Sequence, residues 1–135
     1  MEKLNKILNN LIPYASTLGL ELQEFADGIA VFEMNFRKDL TQFGMIHGGV
    51  LASLVDISCT WAAVSLVFPK GNTTTIDLQV EYLKPVKGGR LKAKGKCIKS
   101  GRNIFFCKAK VWNEEGELVC TGSSQILRLS RSKAL

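Results

Sequence analysis

The amino-acid sequence predicts an α+β domain in which a curved antiparallel sheet wraps around one long apolar helix. The first observation is the segment 44–68, whose apolar run has the length of a helix rather than a strand. The second is that this run is apolar on nearly every side, which is typical of a helix buried all round. The third is a set of alternating segments separated by turn sequences, which predict antiparallel strands. A sheet wrapped around the helix is the most economical packing for these parts.

The 135 residues are enough for one domain with its own core, and we treat residues 1–135 as a single domain. Apolar residues recur at helical spacing from residue 2 to residue 12 or beyond, which predicts an N-terminal helix within 1–17. Pro13 marks either a break in that helix or the start of a second turn. At the other end, the polar segment 130–135 is expected to be a frayed tail.

Two strands are predicted before the long helix, at residues 19–25 and 29–36, joined at Asp27-Gly28, a dipeptide typical of hairpin turns. Residues 37–46 then form a loop that leads into the helix. Pro69 closes the helix, and a turn is expected at 70–72.

The segment 75–82 alternates strictly and predicts a half-buried strand, with Leu78 and Val80 on the apolar face and Thr75 on the polar face. Further turn sequences at 87–89, 100–101 and 113–116 predict strands at 90–99, 103–113 and 117–129. Three successive hairpins imply that each of these strands pairs with the one before it. The exposed edge of such a sheet would be covered by pairing with a second copy.

The net charge of +6 is compatible with a nucleic-acid partner, but no basic helix and no aromatic residues interleaved with lysines are evident. We therefore expect no nucleic-acid partner. The N-terminus lacks the apolar core of a signal peptide and no segment is typical of a membrane span, so we expect a cytoplasmic protein without a membrane partner. The four cysteines are too widely spaced for a zinc motif, and we expect reduced thiols and no metal: Cys59, Cys97, Cys107 and Cys120.

Two features of the long helix are unusual for a simple core element. Gly48 and Gly49 occupy its first turn, where backbone N–H groups have no intrahelical partner and glycine lets a ligand approach closely. They either offer an N–H to a developing oxyanion or only permit a tight turn against a strand. Asp56 lies among apolar residues, and an unpaired buried carboxylate is costly. It therefore needs a partner, an exit to solvent or a chemical role.

The combination of these residues resembles the hotdog-fold acyl-CoA thioesterases of the phenylacetic-acid-degradation (PaaI-like) type. The resemblance covers about residues 18–129 and is carried by Gly44-x-x-His47-Gly48-Gly49, Leu54-Val55-Asp56, Thr75-Ile76-Asp77, Tyr82-Leu83-Lys84-Pro85 and Ser100-Gly101-Arg102. It implies a hotdog fold with active sites at a dimer interface, in a homodimer or, as we expect, a homotetramer. It also implies an acyl-CoA substrate and no cofactor beyond the coenzyme A of that substrate.

The spacing of two residues gives an independent reason to expect a two-chain site. Asp56 follows His47 by nine residues, which is half a helical turn out of phase and about 13 Å along the axis. One chain therefore cannot easily bring both residues to one substrate atom. A two-fold dimer would place the helix start of one copy beside the helix middle of the other.

The resemblance implies roles for the residues around the helix start. Asp56 would activate water as a base or attack the thioester carbonyl as a nucleophile. Gly48, with Gly49 beside it, would offer an N–H to the carbonyl oxygen. His47 would orient the loop or the carbonyl, although a lone histidine before a helix is also a common cap. Thr75 would position the attacking water, or be an ordinary strand residue.

Related enzymes carry an asparagine six residues before the histidine, and here that position is Thr41, followed by Gln42. Either side chain is a candidate substitute for that contact. For the acyl chain, apolar residues near the helix start are candidates, namely Phe43, Met45 and Leu51.

For the phosphates of coenzyme A, the hairpin Ser100-Gly101-Arg102-Asn103 is the candidate, because a tight turn presents N–H groups and arginine suits phosphate geometry. Arg90 and Lys99 are further candidates. The alternative is a solvated basic turn.

The sequence therefore predicts an enzyme, a hydrolase that cleaves an acyl-CoA thioester to a free acid and coenzyme A. A second hypothesis of another class is a non-catalytic acyl-CoA sensor with the same pocket. The intact Asp56 favours the enzyme, since a sensor has no need of a buried carboxylate.

Overall fold

The computed structural model describes residues 1–134 of the chain. Its helices are α1 (Glu2–Leu11), α2 (Pro13–Leu18) and α3 (Gly48–Val64), with a 3-10 turn at Lys38–Leu40. Its strands are β1 (Glu21–Ala26), β2 (Ile29–Asn35), β3 (Thr41–Gln42), β4 (Met45–Ile46), β5 (Lys70–Tyr82), β6 (Arg90–Ser100), β7 (Ile104–Trp112) and β8 (Leu118–Ala134).

Six strands form one antiparallel sheet in the order β1-β2-β6-β7-β8-β5, and β3 and β4 form a separate short hairpin. α3 packs across one face of the large sheet and contacts all six of its strands. The core lies between them, with Trp61, Phe32 and Phe105 among its largest buried side chains. The predicted architecture, an antiparallel sheet around one long apolar helix, is confirmed.

α3 lies directly on the sheet because two strand positions facing it are glycines. A Cβ added to Gly95 on β6 would come within 2.0 Å of the Ser58 carbonyl oxygen in the helix backbone. A Cβ added to Gly122 on β8 would come within 2.6 Å of a Val55 methyl. These two positions therefore bring the helix axis closer to the sheet than any larger residue would allow.

The predicted hairpin between β5 and β6 is wrong. β5 pairs with β8, while β6 pairs with β2 and β7. The reason is the connection 83–89, where the Leu83 N–H donates to the Val119 carbonyl and the Val86 carbonyl accepts from the Ile46 N–H. The connection thereby buries Val86 and carries the chain past β8 and β7 to β6.

α3 ends at Val64 and a turn follows at 65–69, so the expectation that Pro69 closes the helix is wrong. Two strand boundaries also differ from expectation. Residues 70–72, predicted as a turn, are the first residues of β5. The backbone of β8 continues to Ala134, which pairs with Lys70, so the tail predicted from residue 130 is strand instead. Leu135, the last residue of that predicted tail, lies outside the described residues. Both differences have one cause, because the first residues of β5 and the last of β8 pair with each other.

The N-terminal segment forms two helices, since Pro13 starts α2 as its first residue. The side-chain amide of Asn5 on α1 forms two hydrogen bonds with the backbone of Leu22 on β1. Its Nδ2 donates to the Leu22 carbonyl, and its Oδ1 accepts from the Leu22 N–H at 2.7 Å. The side chain thus makes the two hydrogen bonds to Leu22 that a neighbouring strand would make. β5 is the other edge, so its outer side is the one left open to another strand.

The helices of residues 1–134 are all too short or too polar to cross a bilayer.

Gly95→Ala tests the close contact between α3 and the sheet. The added methyl overlaps helix backbone, which cannot move aside as a side chain can, so we expect a loss of about 3 kcal/mol or more in the free energy of unfolding. The measurement is denaturant unfolding followed by circular dichroism. Gly88→Ala is the matched control, because its Cβ meets nothing within 4 Å. Its cost should stay within about 0.5 kcal/mol, and equal losses in the two variants would refute the close-contact explanation.

Candidate active site

The first turn of α3 is capped by the residue that precedes it. His47 has an extended backbone, and its Nδ1 accepts a hydrogen bond from the Gly49 N–H at 2.8 Å. A neutral imidazole that accepts at Nδ1 carries its proton at Nε2. The ring is therefore held in one orientation, with the Nε2–H directed away from the helix. Of the two roles considered for His47, the cap is present in this structure.

Gly48, the first residue of α3, keeps its N–H available. This N–H donates to no acceptor among residues 1–134, as expected for the first turn of a helix. The Tyr82 hydroxyl donates to the Gly48 carbonyl at 2.8 Å, and the Tyr82 ring would lie 3.3 Å from a Cβ at this position. A small residue is therefore required here, and Tyr82 fixes the direction of the peptide.

Tyr82 was missed by sequence reasoning as a site residue, although it lies in one of the segments that carry the family resemblance. Desolvation by burial, the larger cause, raises the pKa of its phenol, and a smaller contribution comes from Cys120. The hydroxyl therefore stays protonated near neutral pH and can act as the donor to Gly48. The sequence signal that could have identified Tyr82 is its position at the end of the alternating segment 75–82.

A groove of about 390 Å³ opens beside the helix start. It is lined mostly by apolar side chains together with the candidate polar groups: Gln42, Phe43, Met45, Ile46, His47, Gly48, Leu51, Tyr82, Leu83, Lys84 and Pro85. The three apolar residues proposed for the acyl chain all lie in this groove. Its shape and composition suit an extended apolar ligand.

Phe43 is the most unusual residue of the groove. It occupies the left-handed region at φ 54° and is 89% exposed, and Gly44 follows at φ 77°. The pair forms the two-residue turn between β3 and β4, for which positive φ at both positions is the favoured geometry. A bulky side chain in this conformation and this exposure is costly, and such positions cluster at ligand sites.

Asp56 has a specific partner. The Thr75 hydroxyl donates to Asp56 Oδ1 at 2.8 Å, and the carboxylate is half-buried on the side of α3 that faces β5. The expectation that Thr75 lies on the polar face of its strand is wrong. A bulge between Thr75 and Asp77 shifts the alternation, so that Thr75 lies opposite the buried Ile126 and faces the helix together with Leu78.

The structure does not bring the helix start and Asp56 together within one chain. Gly48 and Asp56 are eight residues apart on α3, about 12 Å along its axis. Their partners on β5, Tyr82 and Thr75, are seven residues apart, about 23 Å along the strand. Each chain thus carries two half-sites, one at the C-terminal end of β5 by Tyr82 and one near its middle by Thr75.

The two substitutes for the family's asparagine are placed differently. The Thr41 hydroxyl donates to the Lys38 carbonyl at 2.6 Å and so closes the 3-10 turn. Gln42 lines the groove beside the helix start. Of the two, Gln42 is therefore the one that lies at the candidate ligand site.

The hairpin 100–103 lies at the same end of the sheet as Asp56. Ser100 pairs with Phe105, Phe105 with Ile126, and Ile126 with Thr75, so all four form one row across the sheet. The hairpin is tightly closed, because the Gly101 N–H donates to the Ile104 carbonyl at 2.8 Å. The residues proposed for coenzyme A in this turn, with Lys99 before it, therefore lie together at this end of the sheet.

Arg90, also proposed for coenzyme A, does not lie near the hairpin 100–103. It lies at the opposite end of β6, where it donates to Glu33 at 2.6 Å and to Glu21 at 3.2 Å. Arg128, which the sequence analysis did not consider, lies nearer to the hairpin. Its N–H donates to the Asn103 carbonyl and its guanidinium lies 4.9 Å from the Phe105 ring centroid. Its Nε is buried without a partner among the described residues, which makes it a further cationic candidate at this end.

The thiols are poor candidates for a nucleophile. All four cysteines are free, and three of them are buried. Desolvation raises the pKa of Cys59 to about 12 and that of Cys120 to about 11, and it also raises the pKa values of Cys97 and Cys107. Thiols in this state are protonated near neutral pH and react slowly. Within residues 1–134, no cluster of three or more histidine, cysteine or acidic side chains is arranged to hold a metal.

Comparison with known proteins agrees with this arrangement. A family model described as the thioesterase superfamily matches residues 43–120, which is more than half of the chain and includes both half-sites. The medium/long-chain acyl-CoA thioesterase YigI of Escherichia coli is 26% identical over 122 residues, which is 77% of each chain.

Among solved structures, a thioesterase family protein from Silicibacter pomeroyi has a TM-score of 0.86 at 25% identity and covers 93% of this chain and 95% of its own. The PaaI protein of Escherichia coli has a TM-score of 0.83 at 20% identity and covers 90% of this chain and 88% of its own. At that identity the likeness shows the fold alone, and it confirms the expected hotdog architecture.

Proposed function

This chain belongs to the thioesterase superfamily, and we propose that it hydrolyses acyl-CoA thioesters to a free carboxylic acid and coenzyme A. The observation that carries the proposal is the Asp56 carboxylate, half-buried in an apolar helix and held by the Thr75 hydroxyl. A carboxylate with this cost of burial and one fixed oxygen is suited to proton abstraction. The similarity to YigI supports a medium or long acyl chain, and the apolar groove beside Gly48 supports the same choice.

We infer that the complete site forms between two copies. The open edge of β5 accepts an antiparallel strand, and a second β5 centred on Gln79 would pair Leu78 with Val80. Because Ile76 is the extra residue of the bulge, this register places Tyr82 of one copy beside Thr75 of the other. The helix start of one copy would then face Asp56 of the second copy. This register supports the two-chain site that the spacing on α3 requires. A further association to a homotetramer stays a prediction.

In this arrangement the thioester carbonyl oxygen accepts a hydrogen bond from the Gly48 N–H. The helix start stabilises the negative charge that develops on that oxygen as the carbonyl carbon becomes tetrahedral. The hydrogen bond from Tyr82 to the Gly48 carbonyl holds this peptide in place before the substrate arrives. No reorganisation of the donor is then needed during the reaction.

Asp56 of the second copy takes a proton from the attacking water. Thr75 occupies Oδ1, so Oδ2 is the oxygen left to accept that proton. The hydroxide formed attacks the carbonyl carbon to give the tetrahedral intermediate. The carbon–sulfur bond then breaks and releases coenzyme A thiolate, which takes the proton back from Asp56. We favour this base role over direct attack by Asp56, because the half-buried carboxylate is reachable by water in the single chain.

The two parts of the substrate would lie on different copies. The acyl chain follows the groove of Phe43, Met45 and Leu51 on the copy that supplies Gly48. The coenzyme A phosphates lie near the hairpin 100–103 of the copy that supplies Asp56, since both are at the same end of the sheet. Substrate binding thereby requires both copies, as the chemistry does.

Asp56→Asn should lower kcat for an acyl-CoA at least about 100-fold, because the amide cannot accept the proton, while substrate binding is kept. The measurement is release of free thiol across a panel of acyl chain lengths, in which the raised pKa values of the native cysteines keep the background low. Asp77→Asn is the matched control, since that carboxylate lies on the same strand as Thr75 but bonds Gln125. Full hydrolysis by Asp56→Asn would refute the role of Asp56. Binding without thiol release by the parent protein would assign the site to an acyl-CoA sensor.

Gly48→Pro removes the proposed oxyanion donor without breaking the helix. Proline is favoured at the first helical position, and His47 before it already has the extended backbone that proline requires. We expect kcat to fall about 100- to 1,000-fold. Gly48→Ala is the control, because it adds the same Cβ against Tyr82 and keeps the N–H. If both variants lose activity equally, the N–H has no special role and only the close contact matters.

Mixing the two inactive variants tests the two-chain site. Refolding Asp56→Asn with Gly48→Pro in equal amounts should restore about a quarter of the parent activity, since half of the dimers are mixed and each has one intact site. The measurement is thiol release after refolding of the mixture and of each variant alone. A mixture as inactive as its components, with mixed dimers confirmed by mass spectrometry, would place both groups in one chain's site and exclude the shared one.

A further inference from the structure

The outer face of the sheet, which points away from α3, carries a cluster of lysines on its two central strands. On β6 and β7 the buried residues alternate with exposed lysines, which therefore all point to the outer side. We call this cluster the lysine face, and it consists of Lys92, Lys94, Lys96, Lys108 and Lys110. It holds five of the 18 basic residues of the chain, and it is separate from the site proposed above.

These lysines are arranged so that like charges oppose each other. Lys94 pairs directly with Lys110, and Lys96 with Lys108. Like charges directly opposite on neighbouring strands destabilise a sheet. Among the described residues, the ion pairs are made by Arg37, Lys84 and Arg90, and none involves the lysine face. Glu33, the acid opposite Lys92, is already bonded by Arg90. The repulsion is therefore uncompensated within this chain.

The surroundings of the lysine face are apolar along the strands and acidic only towards the sheet edges. Ile98, 56% exposed, and Phe106, 39% exposed, lie on the same outer side at one end of the lysines, and Trp112 lies at the other. A shallow hollow runs between Trp112 and Ile98 among the lysine side chains. The face is thus a basic surface with apolar ends, located on the outer side of the two central strands.

The charge and the apolar residues of the lysine face favour one class of binding partner over two others. A second copy stacked on this face about a two-fold axis would bring lysine against lysine, which charge repulsion disfavours. A single-stranded nucleic acid needs aromatic rings among the basic groups, on which successive bases stack, whereas Phe106 and Trp112 lie only at the two ends of the lysine face and none lies between the lysines. An anionic bilayer surface needs only clustered lysines and a few apolar contacts on an exposed face.

We propose that the lysine face docks this protein on the surface of an anionic lipid bilayer. Each lysine gains by approaching the negative surface, and the uncompensated repulsion between them is relieved there. No membrane-spanning helix is needed for such a contact, although the sequence analysis expected no membrane partner at all. In the dimer proposed above the two-fold axis is perpendicular to the joined sheet, so both lysine faces point to the same side. The docking itself does not depend on that dimer or on hydrolysis.

The test is co-sedimentation of the full-length protein with vesicles of phosphatidylcholine alone and with added phosphatidylglycerol. The parent should bind only the vesicles with phosphatidylglycerol, and binding should weaken as salt is raised. Lys94→Glu/Lys110→Glu should weaken this binding about 100-fold. Lys38→Glu/Lys87→Glu is the matched control, with the same change in net charge at exposed lysines outside the lysine face. It should bind like the parent.

Three outcomes would overturn the proposal. Equal weakening in both double variants would mean that total charge and not this face is responsible. Tighter binding of the parent to an oligonucleotide than to anionic vesicles, lost in Lys94→Glu/Lys110→Glu, would assign the face to nucleic acid. A change of molar mass in light scattering for that variant alone would assign the face to contact between copies. Thioester hydrolysis without vesicles should be the same in all these variants, so a failure of docking is distinct from a failure of the proposed activity.

Discussion

The direct contact between the backbone of α3 and the sheet is the constraint on which the other features depend. Gly95 and Gly122 leave no side chain between them and the helix, so Ser58 and Val55 lie directly against the strands, and a shift of the helix would lose these contacts. A well-packed interior resists such shifts. The first residue of α3 therefore always meets Tyr82, and its middle always meets Thr75. The position of every candidate chemical group follows from this contact.

The polar groups of α3 differ in whether the helix itself satisfies their hydrogen bonds. Ser58 is fully buried, and its hydroxyl donates to the Leu54 carbonyl of the same helix at 2.6 Å. It needs nothing from outside the helix. Asp56 and the Gly48 N–H, in contrast, keep one hydrogen-bonding position open. In an apolar element, open polar positions of this kind are costly and are expected only where a ligand completes them.

The sequence was sufficient for features that depend on local pattern. The apolar run predicted α3, and Asp27-Gly28 predicted the first hairpin, since both signals lie within a few residues of the structure they produce. The pairing of β5 with β8 was not predictable in this way, because it depends on where the connection 83–89 is held by Val119 and Ile46. The bulge at Thr75 and the role of Tyr82 were missed for the same reason. Each depends on contacts with residues far away in the chain.

The two edges of the large sheet differ in how readily they can pair with a further strand. At β1, the amide of Asn5 satisfies both backbone groups of Leu22, as a strand would, and the edge ends in a helix. At β5 nothing comparable is present among the described residues. Because α1 occupies the β1 edge at Leu22, a second copy can extend the sheet only along β5. The extended sheet of the dimer then has a β1 edge at both of its ends. The fold thus favours closed assemblies over open-ended fibrils.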